Sequence, residues 1–105
     1  MDIYQIEKLR PPARERYVEF LRVPALSAGL YVLGVGATDP QRPHREDEIY
    51  DVTSGRGVMR VGTEDRPVEP GSVVYVPPGV DHRFHSIAEE LRVLVVFAPA
   101  ETSPA

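Results

Sequence analysis

His44 and Glu48 stand four residues apart at the mouth of a strand-like stretch, and they offer an imidazole nitrogen and a carboxylate oxygen. Such atoms hold divalent metals. A second patterned stretch, Gly71 to His82, ends on another imidazole, which makes His82 the third partner for that pair. The chain has no cysteine, so a thiolate site, a thiol nucleophile and disulfide support are excluded. Any metal must sit on nitrogen and oxygen. Two histidines and one carboxylate with open positions form the set used by non-haem iron(II) oxygenases, and the set also suits catalytic zinc. A divalent transition metal held there, whether Fe, Zn, Mn or Ni, would act as a Lewis acid or activate a bound water.

Length and charge bound what surrounds such a centre. With 105 residues the chain fits one domain, 1–105, with an amino-terminal arm over 1–12 and a flexible tail over 99–105. Sixteen acidic residues against twelve scattered basic ones give a net charge of −4, which argues against a nucleic-acid partner. No apolar run approaches the ~20 residues that span a bilayer, and the amino terminus lacks a signal-peptide pattern. The expectation is a cytoplasmic protein with no membrane contact.

Eleven prolines and eight glycines fall between apolar runs and punctuate short strands. Ile3, Ile6 and Leu9 allow one short helix or an extended arm, closed by Pro11-Pro12. Residues 16–23 read as a strand stopped at Pro24. Leu30 to Val35, within 26–36, suits a strand covered on both faces. After the loop 38–43, residues 48–53 and 58–61 read as a hairpin turned at Gly55-Arg56-Gly57. A turn over 62–65, a short segment over 66–68, a strand over 73–76 and extended stretches over 81–87 and 91–97 complete the reading. The fold class is all-β, a sandwich or barrel.

The two patterned stretches resemble the cupin superfamily, small jelly-roll barrels, also described as double-stranded β-helices, that hold a metal inside. The family's second motif, roughly G-x5-P-x-G-x2-H-x3-N, is matched by Gly71, Pro77, Gly79 and His82, with Ser86 in place of the asparagine. The second half of its first motif, roughly G-x5-H-x-H-x3/4-E-x6-G, is matched by His44, Glu48 and Gly55. Arg42 stands where the first histidine would be, and a guanidinium has no free lone pair for a cation. The resemblance therefore implies a three-ligand site of His44, Glu48 and His82, a small-molecule ligand and a homodimer. It leaves open a metal-dependent enzyme, oxygenase-like or an isomerase or lyase, or a non-catalytic binding or sensing barrel.

Other residues are placed by strand alternation. Tyr50 shares the face of Glu48, and Phe84 and Ser86 share that of His82, so Tyr50 and Phe84 join the pocket wall or its support. His85 points the other way. Arg42 either pairs with an anionic ligand or is a solvated loop residue. Glu46 and Asp47 are solvated turn residues or, for Glu46, a further oxygen donor or base. Tyr31, Met59, Tyr75, Val93 and Val95 line a cavity or pack the core. Gly55 ends the strand of Glu48, and Pro77-Pro78-Gly79 redirects the chain so that His82 faces inward.

Overall fold

Valine-rich and aromatic runs become strands where proline and glycine leave them room, and the computed structural model describes residues 1–102. Strands β1 (Tyr17–Val23), β2 (Leu26–Leu33), β3 (Asp47–Val61), β4 (Glu64–Val68), β5 (Val73–Val76) and β6 (His82–Ala98) all pair antiparallel. They form an all-β jelly roll in the order β1-β2-β6-β3-β4, with β5 also on β3. A single 3-10 turn, Ile6–Lys8, is the helical content among the described residues, and no helix is long and apolar enough to cross a membrane.

The expected hairpin is absent, and two stretches read separately are continuous. Residues 48–53 and 58–61 belong to one strand, β3, and residues 82–87 and 91–97 to another, β6. The two long strands run side by side, and both break at one level, where Ser54 pairs with Arg92 and Arg56 with Glu89 through shifted register. Bulges there bend the strands and change which residues face inward. In β3 the buried set passes from Glu48, Tyr50 and Val52 to Gly55 and Met59; in β6 it passes from His82 and Phe84 to Ile87, Leu91 and Val93. Gly55 (φ 94) does not end the strand but allows this crossing, since a Cβ there would sit on the backbone of Glu90 and Leu91. Ser86, at φ 50, is the matching irregularity in β6 and is exposed, not on the face of His82.

The bend gives two faces to one core. The first half of β3 lies between β5 and the second half of β6, which also pairs with β2, and the second half of β3 lies between β4 and the first half of β6. Tyr50, Phe84, Leu91 and Val93 fill the space between, each at most 1% exposed. Burying each such side chain contributes about 1.5–3 kcal/mol, enough to hold the halves face to face. β2 is covered on both sides as expected, though it stops at Leu33 and leaves Val35 exposed. Gly62-Thr63 alone turns β3 into β4, so the expected 62–65 turn is shorter and β4 begins at Glu64.

Both ends of the described chain are fastened to the barrel. Arg92 donates to the carbonyls of Ile6 (3.2 Å) and Leu9 (3.0 Å), holding the arm to β6. Residues 99–102, expected within a flexible tail, are tied by hydrogen bonds from Ala100 N to Pro24 O and from Glu101 N to Ser27 Oγ (2.9 Å). Thr102 Oγ1 donates to Glu46 (2.7 Å). The rest of that expected tail, 103–105, lies outside the described residues.

Candidate metal centre

Alternation along the entry to β3 carries His44, Glu46, Glu48 and Tyr50 inward, while Arg45, Asp47 and Ile49 face out. His82, the first residue of β6, comes from the opposite end of the sheet. The turn before it is positioned by Gly79, at φ 76, whose N–H donates to the carbonyl of His44 at 2.8 Å. One hydrogen bond thus joins the loop of the first imidazole to the turn of the second.

His44, Glu48 and His82 are all buried, and one ligand atom from each lies within 4.8 Å of the others. His82 Nε2 is 3.2 Å from Glu48 Oε1. His44 Nε2, His82 Nε2 and both carboxylate oxygens of Glu48 find no hydrogen-bond partner among the described residues. Buried polar atoms left in this state are costly, so a cluster of four points to a missing common partner. The other ring nitrogens are engaged. His82 Nδ1 lies 2.9 Å from the carbonyl of Val80, which can only accept, so that nitrogen carries a proton and, in the neutral ring, Nε2 keeps its lone pair. His44 Nδ1 faces Glu101 Oε2 at 3.4 Å. A metal-binding histidine is commonly oriented in this manner by a carbonyl or carboxylate behind it. The group could hold a metal.

Burial lowers the pKa of His44, with Glu48 opposing and His82 adding to the effect. Burial also pulls His82 down, but the carboxylate of Glu48 and the carbonyl of Val80 outweigh it, and its pKa ends above the usual value. Glu101 is pushed up to about 7 by burial and by the charges of Glu46 and Glu48.

A second buried carboxylate frames the site. Asp39 accepts from Tyr31 Oη (2.6 Å), Gln41 Nε2 (2.8 Å) and the backbone N–H groups of Gln41 (3.1 Å) and Phe84 (2.8 Å). Gln41 Oε1 in turn accepts from Tyr50 Oη. Tyr50 is fully buried, its hydroxyl held well above its ordinary pKa by burial and by Glu48, and its ring lies 5.9 Å from that of His82. Phe84 packs edge-on against Tyr50 at 5.2 Å. Both therefore stand beside the triad.

Other candidates fall elsewhere. Arg42 is exposed and lines neither of the two cavities that reach the triad. Glu46 is buried, not solvated, and holds Thr102; Asp47 is exposed and accepts from Tyr75. Tyr75 is 55% exposed and lies outside the core. His85 turns outward to Asp65 at 2.8 Å. Met59, Val93 and Val95 are core residues, and Val95 with Tyr31 also lines a cavity of about 430 Å³ beside His44. A second cavity of about 330 Å³ reaches His82, and Gln41 borders both. Asp39, Gln41 and Glu101 carry no sequence signal of their own: two sit in an irregular loop and one follows the last strand.

Comparison with known proteins agrees with this fold. A family model described as a cupin domain matches residues 29–97. An uncharacterized protein of Streptomyces coelicolor is 52% identical over 98 residues, 93% of each chain. A glucose-6-phosphate isomerase of Thermococcus onnurineus is 37% identical over 59 residues, 51% of this chain and 31% of that enzyme. The crystal structure of TT1209 from Thermus thermophilus superposes with a TM-score of 0.79 at 26% identity, covering 95% of this chain and 99% of that one.

Proposed function

This chain belongs to the cupin family, and from that premise we propose that it is a metal-dependent enzyme acting on a small organic molecule. His44, Glu48 and His82 are the protein ligands of one divalent transition metal. The observation that carries this reading is the convergence of four buried, unpartnered ligand atoms, with the reverse nitrogen of each imidazole turned to an oxygen. When bound, a metal with open positions supplies Lewis-acid polarisation of a substrate oxygen or an activated water. The chain's own residues hold the imidazoles in one tautomer, keep the Tyr50 hydroxyl protonated and wall the site with apolar side chains.

Oxygenase and isomerase chemistry both suit this donor set. The partial likeness to a named isomerase favours the second. Oxygen uptake by iron(II)-loaded protein separates them. The same reading includes a homodimer, supported by Ile49 and Tyr75, which pair across β3 and β5 and remain exposed beside Val73.

Metal titration tests the centre. The protein should take up about one equivalent of zinc(II) or cobalt(II), and His44→Ala and His82→Ala should each lose about a hundredfold or more in affinity, exceeding the loss typical of an outer-shell change. Unchanged occupancy in both variants would reject the site.

A further inference from the structure

We propose that the cavity beside His44 binds a small organic anion, a carboxylate or phosphate ester with an apolar body. This inference rests on the metal reading above and names what that site takes.

The cavity's volume of about 430 Å³ lies within the range of small-molecule sites, about 300–1,000 Å³. Tyr31, Val95 and Phe97 give it an apolar wall, and buried His44 forms its inner end. The mouth differs. Arg14, Glu15 and Arg16, consecutive residues of the turn that leads into β1, all line it. Arg14 stands at φ 71, a left-handed backbone uncommon outside glycine. Glu15 and Glu101 also line the cavity and balance the two guanidinia in formal charge.

Neither guanidinium has an ion pair among the described residues, whereas Arg22, Arg56, Arg60 and Arg66 are each paired with a carboxylate. A third donor also waits. Tyr17 lines the same cavity, and its Oη is buried with no hydrogen-bond partner among the described residues. Burial, then the nearby Glu101 and Glu19 charges, hold its proton on. Gly29 makes room for this hydroxyl, because any Cβ at that position would meet the Tyr17 ring. The two guanidinia are donors alone, the protonated phenol can donate as well, and a guanidinium fork fits carboxylate or phosphate oxygens. A ligand rich in charged acceptors at one end satisfies them, while its body lies on the apolar wall and its other end reaches the metal.

Calorimetric titration of the zinc(II)-loaded protein with phenylpyruvate, phenyl phosphate and neutral phenylacetone tests this. At least one anion should bind, and the two anionic arms distinguish carboxylate from phosphate. The Arg14→Gln/Arg16→Gln double variant should bind it about tenfold to a hundredfold more weakly, and Tyr17→Phe should weaken it less. Cobalt(II) titration of each variant should match the wild type, which shows that the fold and the metal centre survive. Binding of phenylacetone as tight as that of the anions, an unaltered double variant, or no anion binding by metal-loaded protein would overturn the proposal. Failure of the wild type to take up cobalt(II) would instead overturn the metal reading beneath it.

Discussion

Glu101 and the carbonyl of Val80 perform the same service for two imidazoles, each standing behind an Nδ1 so that Nε2 faces the centre of the barrel. They differ in origin. Val80 acts within the turn that carries His82, whereas Glu101 returns from beyond the last strand and is placed by Ser27 and by Arg22, which donates to its carbonyl at 2.8 Å. Because an outer-shell carboxylate fixes both the tautomer and the basicity of a ligand, Glu101→Ala should weaken zinc(II) binding about tenfold to a hundredfold. Glu101→Gln should recover part of that loss, since its amide oxygen still accepts. Equal affinity in wild type and Glu101→Ala, measured by competition with a chelating dye, would remove Glu101 from the site.

At the scale of elements, the bend shared by β3 and β6 decides whether the two halves of the barrel meet. Gly55→Ala should destabilise the protein by about 1–3 kcal/mol from its backbone angle alone, and by more if the Glu90 carbonyl cannot yield. Urea unfolding reads this directly. Farther along the same strands, Asp65 is held below its ordinary pKa by hydrogen bonds from Arg60 and His85, joining the β3–β4 hairpin to β6. A depressed carboxyl pKa gives stability that is present above the unfolded value of about 3.9 and is lost as pH falls toward the folded one. Asp65→Asn should therefore flatten the acid limb of the stability profile while leaving its slope near neutrality unchanged. The strands themselves were legible as valine-rich runs between prolines and glycines. The continuity of β3 through Gly55-Arg56-Gly57 was not, because one glycine pattern serves a turn and a bulge alike. The choice depends on the strand opposite.

For the whole molecule, spacing made the triad readable, since His44, Glu48 and His82 fall at motif positions that need no knowledge of packing. The residues that complete its surroundings were unreadable for the converse reason. Asp39, Gln41, Tyr17 and Glu101 become significant only through burial, and nothing in their local sequence records what lies over them. The proposed homodimer is also a property of this scale. Sedimentation at micromolar concentration should give twice the chain mass, and Tyr75→Glu, which sets a charge on the exposed β3–β5 face, should shift it toward the monomer.

Gln41 has a consequence for traffic through the protein. It borders both cavities, one ending at His44 and the other at His82, and its amide is fastened at each end, by Asp39 on the nitrogen and Tyr50 on the oxygen. A side chain held at both ends does not swing, so it serves as a fixed partition between the two cavities. The cavity lined by Tyr17 and the one lined by Asp81 therefore share a wall that opens only when both hydrogen bonds break.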